Sequence, residues 1–317
     1  MIAGAVSTLA RLGVADHLDA GPQSAEELAA KIGAQPGPLY RLMRATASVG
    51  VLAEGPDGRF SQTPMSAVLS TKGSPSLRGW AIFNTQDWHM LGWEHLEYCV
   101  RTGNQALEDI YGKHAFEFFA EEPVAGVFNQ AMTDLSRLDS RAVAEAYAFE
   151  GMRTIVDVGG GHGLLLATIL QRHPHLTGTL YEMPVVVEGA KHGPLGPVMD
   201  RCKLVVGDMF ASVPAGADVY IMKHIIHDWP DETAIGLLKN CRQGVNAGGK
   251  LLVVDAVIDP GNGFNFAKFL DLEMLIFPGG LERTETQFRE IFGAAGWKLE
   301  QVIATASGVS IVEGAPA

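Results

Sequence analysis

TIVDVGGGHG, residues 154–163, is a short β-branched run that ends in three successive glycines and passes at once into HGLLLATILQRH, residues 162–173, which has helical character. Branched side chains favour a strand, and clustered glycines let the backbone turn sharply while leaving its surface bare to a ligand. Strand, glycine turn and helix form the opening unit of an open α/β sheet, which binds ligands at the carboxyl ends of its strands. The dinucleotide fingerprint Gly-x-Gly-x-x-Gly is not met, because counting from Gly159 reaches Gly161 and then Leu164. A nicotinamide dehydrogenase is thereby disfavoured. A turn with Gly159, Gly161 and Gly163, preceded by Asp157, suits a ligand without pyrophosphate. Asp157 would meet the ammonium of an amino-acid moiety, and the glycines would let that moiety lie against the backbone.

Strand and helix alternate from this point to the C-terminus. TGTLYEM (177–183), CKLVVGDM (202–209), ADVYIMKH (217–224) and GKLLVVDAVI (249–258) read as strands, with a helix in ETAIGLLKNCRQGV (232–245); one helix and two strands follow in 284–314. The pattern predicts an α/β domain over 150–317: a Rossmann-like, doubly wound, mostly parallel sheet of seven strands covered on both faces. Glu182 closes the second strand, where a carboxylate accepts hydrogen bonds from ribose hydroxyls. At the end of the third, Asp208 is placed to read an adenine amino group, with Met209 and Phe210 packing on the ring. Each acid alone reads equally well as a solvated strand end. Three of them at successive strand ends point to one adenosyl ligand.

Upstream, Ser24 to Glu27 has the form of a capping box, Pro36 to Pro38 opens another helix, and VLAEGPDGRF (51–60) supplies two short strands. Helix, helix and wing over residues 1–75 resemble a winged helix, but six basic and six acidic side chains leave no positive face for DNA. A dimerisation or scaffold role is expected there, with a helical linker and acceptor-pocket region over 76–149. The whole chain carries 36 acidic and 24 basic residues, a net charge of −12, which argues against a nucleic-acid partner. Cys99, Cys202 and Cys241 have neither disulfide nor metal spacing, and no run approaches a membrane span, so a reducing, cytoplasmic setting is expected. His89, His95, His173, His175 and His192 lack partner ligands at metal spacing, and no metal is expected. A serine hydrolase is poorly supported, since no Gly-x-Ser-x-Gly follows a strand.

Read in order, DVGGGHG, LYEMP, GDMF, MKHIIHDWPDE, GGKLLVVDAVI, DLEMLIFPGGLERTETQF and AAGW resemble the caffeate, hydroxyindole and small-molecule O-methyltransferases, over nearly the whole chain. The resemblance implies S-adenosylmethionine as methyl donor and S-adenosylhomocysteine as product. It also implies a homodimer built through the winged-helix-like N-terminus, although the chain starts inside what looks like the family's first amphipathic helix. By the same resemblance Gly159 and Gly161 contact the cofactor, Glu182 holds the ribose, Asp208 and Met209 address adenine, and Lys223 lies along the cofactor. His227 matches the catalytic base, flanked by Asp255 and Glu282. Many members have Asp at the position of Glu182, and some have Glu at that of Asp255.

The chemistry suits these residues. A phenol of pKa near 10 is mostly protonated at neutral pH, and a base of pKa about 6.5 within hydrogen-bond reach removes its proton as the oxygen attacks. A carboxylate on the far ring nitrogen would fix the tautomer and stabilise the imidazolium. Read alone, His227 suits capping the helix that begins near Pro230 better than acting as a base, and only the context of Asp255 and Glu282 reverses this; Asp228 suits the helix N-terminus or the cofactor. Met132, Asn129, Trp229, Met274 and Phe277 are expected to line a pocket for a small hydroxylated aromatic acceptor; Met132 and Met274 read equally as core. The alternatives are N-methylation, a non-methylating cofactor-binding homologue, and a ligand-sensing regulator.

Overall fold

The computed structural model describes residues 1–317, which fall into two compact units. The first comprises residues 1–96 and 116–135, the second 97–115 and 136–317.

In the first unit, short helices pack on an apolar cluster that includes Leu9, Val14, Leu28, Leu39, Met43 and Phe60. Ser24 accepts from the Glu27 N–H while the Glu27 carboxylate accepts from the Ser24 N–H, so the expected capping box opens the helix Ala25–Ile32. Pro36 starts the next helix, Pro36–Ala47, at the position where its missing N–H is harmless. The hairpin Leu52–Glu54 with Phe60–Gln62 completes the helix-and-wing arrangement.

The second unit is built on a seven-stranded sheet: β1 (Thr154–Val158), β2 (Thr177–Glu182), β3 (Cys202–Val206), β4 (Ala217–Lys223), β5 (Val245–Asp255), β6 (Trp297–Ala304) and β7 (Ser310–Pro316). Their spatial order is β6-β7-β5-β4-β1-β2-β3, parallel from β5 to β3 and antiparallel at β7 and β6. Side chains alternate across a strand, so the continuous apolar runs fill both faces. Ile155, Leu180, Val219, Ile221, Leu252 and Val254 pack with Leu166, Ile169 and Leu170 of the helix Leu164–Arg172. Their neighbours Val156, Tyr181, Tyr220, Met222, Leu251 and Val253 pack on the other face, with Leu237 and Leu238 of Asp231–Gly244 and Phe288 and Phe292 of Glu285–Ala294. Each such side chain contributes about 1.5–3 kcal/mol by leaving water, and the two cores hold the sheet rigid beneath the loops at its edge.

The expected mostly parallel sheet is therefore present. The helices Pro184–Ala190 and Ala267–Ile276, and a two-residue parallel pairing of Val257–Ile258 with Arg283–Thr284, go beyond the sequence reading. Val185, Val186 and Val187 favour a strand locally, but Pro184 at the first helical position and packing on the sheet decide for helix.

Candidate active site

Because β1 to β5 run parallel, their carboxyl ends share one edge, and five loops meet there. After β1 the chain turns with Gly159 at φ 68° and Gly161 at φ 58°, a region in which side chains are strained. A Cβ on Gly159 would stand 2.6 Å from Ile225 Cδ1, whereas one on Gly161 would meet nothing within 4 Å, so this turn is closed on its β4 side and open at Gly161. Beside the opening, Glu182 accepts from the Gly161 N–H at 3.4 Å and from the Met183 N–H at 2.6 Å. Burial raises its carboxyl above the ordinary range, against these two donors.

Asp157 lies at the base of the turn, fully buried, with neither carboxylate oxygen hydrogen-bonded. Burial raises it to about 7, opposed by the charge of Lys223 and reinforced by Glu182. After β3, Asp208 accepts from the Phe210 N–H at 2.9 Å, and the Asn240 amide donates to the carbonyls of Met209 and Phe210, fixing this turn. The Phe210 ring, 39% exposed, meets Trp229 edge to face at 4.9 Å. An exposed aromatic beside an acid suits a flat heterocycle, the open glycine bend suits a close-lying chain, and the partnerless Asp157 oxygens suit a cationic group. The residues thus fit S-adenosylmethionine in the charge, shape and polarity of its parts.

His227 sits on the single 3₁₀ turn Ile226–Asp228 after β4 and is 8% exposed. Its Nδ1 donates to Glu282 Oε1 at 2.7 Å, and Asp228 Oδ1 stands 3.6 Å from Nε2, too far for a hydrogen bond. Burial lowers the imidazole's basicity, but Asp228, Glu282 and Asp255 outweigh it and raise the pKa to about 10. That departs from the ordinary value near 6.5 assumed from the sequence, since three nearby carboxylates favour imidazolium.

Asp255 lies beside both imidazoles, with a carboxylate oxygen within 4.8 Å of a ring nitrogen of His227 and of His224. It ends β5, and Nδ1 of His224 stands 3.8 Å from its Oδ1. Strand pairing sets this: β4 and β5 are neighbours, and the His224 N–H donates to Val254 O, which brings His224 beside the end of β5. The His224 and His227 rings stack at 5.0 Å and 29°.

Lys223 closes β4 among Asp139, Asp157 and Asp255, whose charges counter the lowering that burial imposes on its ammonium. Trp229 is half-buried; Met274 and Phe277 are buried on and just after the helix Ala267–Ile276. Met132 and Asn129 belong to the part of the helix Val124–Ala146 that lies in the first unit, Met132 half-buried and Asn129 exposed.

Four further residues shape the site without having been singled out in the sequence. Asp139 binds His224 Nε2 at 3.0 Å, and Asp271 accepts from the Glu282 N–H at 2.9 Å. Arg283, 1% exposed, donates to the carbonyls of Ile226 and Trp229 and to Asp231. Gly280 lies so close to the loop that a Cβ would stand 1.9 Å from the His227 carbonyl oxygen. The doubled glycine of PGGLER and the arginine next to Glu282 were the available signals.

A family model described as an O-methyltransferase domain matches residues 93–298, and one described as an O-methyltransferase dimerisation domain matches residues 1–72. The chain is 41% identical over 309 residues to a phenazine O-methyltransferase, PhzM, of Lysobacter antibioticus, covering 97% of this chain and 90% of that protein. It is 35% identical to aclacinomycin 10-hydroxylase RdmB of Streptomyces purpurascens, over 93% of this chain and 81% of that one. Among solved structures, CalO1, a methyltransferase in calicheamicin biosynthesis in its SAH bound form, superposes with a TM-score of 0.93 at 36% identity, covering 100% of this chain and 94% of the other.

Proposed function

This chain belongs to the O-methyltransferase family and is an S-adenosylmethionine-dependent O-methyltransferase, and we propose that it methylates a hydroxyl of a small aromatic acceptor with His227 as the general base. The observation that carries the reading is the 2.7 Å hydrogen bond from His227 Nδ1 to Glu282, which commits one ring nitrogen and leaves Nε2 for the acceptor. The base, more than the scaffold, supports the assignment, because one relative of the same fold carries a hydroxylase name.

S-adenosylmethionine supplies, when bound, a methyl group on a positively charged sulfur. Gly159 and Gly161 would lie against its amino-acid part, Asp157 would face the ammonium, Glu182 would hold the ribose, and Asp208, Met209 and Phe210 would take the adenine. Lys223 balances the acids beneath. Trp229, Met274 and Phe277 offer apolar surface to a flat ring, in keeping with relatives named for phenazine and naphthoate substrates. His227 Nε2 then takes the hydroxyl proton, and Glu282 stabilises the imidazolium that results. Asp228, across from Nε2, adds to that stabilisation. We further propose that the enzyme is a homodimer, from the match of its N-terminal segment to a dimerisation domain.

Replacing His227 with Ala tests the base. Turnover at pH 7 should fall by about 10²–10⁴-fold, while calorimetric affinity for S-adenosylmethionine holds. A variant as active as the parent would overturn the assignment.

A further inference from the structure

Behind His227 lies a second set of buried polar groups that the reaction described above does not use. Asp255 is fully buried at the end of β5 and neither of its oxygens is hydrogen-bonded; Nδ1 of His224, 3.8 Å away, is buried and equally without a partner. The other nitrogen, Nε2, is 3.0 Å from Oδ2 of Asp139. The Asp139 carboxyl is kept below its ordinary range by His224 and Lys223 despite burial, so it is an acceptor, and Nε2 must carry the hydrogen. Burial and the charge of Lys223 lower His224 to about 4, so the ring is neutral and Nδ1 presents a lone pair. A lone pair facing an ionised carboxylate would set two acceptors against each other where water does not reach, and buried polar groups are rarely left so.

His224 also has a backbone φ of 54°, a strained value for a residue with a side chain. Such a conformation costs about 1–3 kcal/mol and persists only where surrounding contacts hold it. Here Asp139, the Val254 carbonyl and the stacked His227 ring do so.

We infer that Asp255 is a neutral carboxylic acid that donates its proton to His224 Nδ1, and that Asp139, His224 and Asp255 form a positioning chain that withholds one negative charge from the catalytic imidazole. Closing the 3.8 Å between His224 Nδ1 and the Asp255 carboxyl to hydrogen-bonding distance takes a shift of about 1 Å. The consequence follows from the charges facing Asp255, which are His227, Glu282, Asp228, Arg283 and Lys223. Three carboxylates around His227 would hold it as imidazolium, which cannot accept a proton. With Asp255 neutral, only Glu282 and Asp228 remain, and the imidazole is brought toward the neutral form that general-base catalysis requires.

This inference rests on His227 being the base, but its test is separable. Infrared difference spectra of the full-length enzyme at pH 7 should show a carboxylic-acid C=O band, sensitive to deuterium exchange, that is missing in Asp255→Asn. Nitrogen-15 NMR titration should place the His227 pKa in Asp255→Asn close to that of the parent, because the amide mimics the neutral acid. His224→Phe removes the acceptor of the proton but leaves the carboxyl buried, so the acid band should persist and move to higher frequency, as for a carboxylic acid without a hydrogen-bond acceptor. Absence of the acid band, together with a His227 pKa in Asp255→Asn lowered by about one unit or more, would overturn the inference. If the band is present and His227→Ala remains active, the shared proton stands and the base assignment falls.

Discussion

Nη1 of Arg283 donates to the carbonyl oxygen of Ile226 at 2.9 Å, so the residue after Glu282 is fastened to the residue before His227. Nη2 reaches the Trp229 carbonyl and Nε reaches Asp231, each at 2.9 Å. One guanidinium thus closes both ends of the loop carrying the imidazole, while its neighbour Glu282 holds the ring. A lysine keeps the charge but not the planar fork. Arg283→Lys should lower kcat by about tenfold or more and reduce unfolding free energy by about 1.5–3 kcal/mol, the scale of a lost charge-assisted hydrogen bond. Denaturant titration and steady-state kinetics check both, and affinity for S-adenosylmethionine should change little.

Gly280 supports the same loop by having no side chain. Gly280→Ala should cost about 1–3 kcal/mol and lower kcat, since the new methyl would overlap the backbone of His227 and Asp228. Gly293, on the exposed side of the helix Glu285–Ala294 with nothing within 4 Å of a Cβ, is the control. Gly293→Ala should leave kcat unchanged and stabilise by about 0.5–1 kcal/mol. Equal effects at the two positions would show that the close approach of Gly280 is unimportant.

The pH dependence has a defined sign. Asp228 and Glu282 raise the folded-state pKa of His227 above 6.5, so its stabilising contribution is complete below 6.5 and disappears as pH rises through the folded value. Melting temperatures should therefore decline across that interval. Asp228, 3.6 Å from Nε2, contributes to the shift. Asp228→Asn should move the acid limb of the kcat/KM profile down by about one pH unit and flatten the decline in stability. An acid limb that stays in place would remove Asp228 from the electrostatics of the base.

Glu182 is the acid beside the open part of the glycine turn, and its carboxylate already accepts from two backbone N–H groups. Glu182→Ala should weaken S-adenosylmethionine binding by about 10–100-fold, equivalent to losing one or two hydrogen bonds to a charged acceptor, with a smaller change in acceptor KM. Calorimetry and initial-rate kinetics separate the two. A larger effect on the acceptor than on the cofactor would move the ribose site elsewhere.

The sequence by itself determined what depends on neighbours along the chain. Alternating branched and apolar runs fixed the strands, the glycines of 159–163 fixed the turn after β1, and the ordered motifs pointed to Glu182, His227 and Glu282. Tertiary structure decided what depends on closure between distant segments. Asp139 and His224 are 85 residues apart, and Arg283 and Ile226 are 57 apart; no local pattern marks either pair. The same closure turned Asp255 toward His224 and gathered enough carboxylates near His227 to raise its pKa, because a charge acts through distance and burial and not through position in the chain.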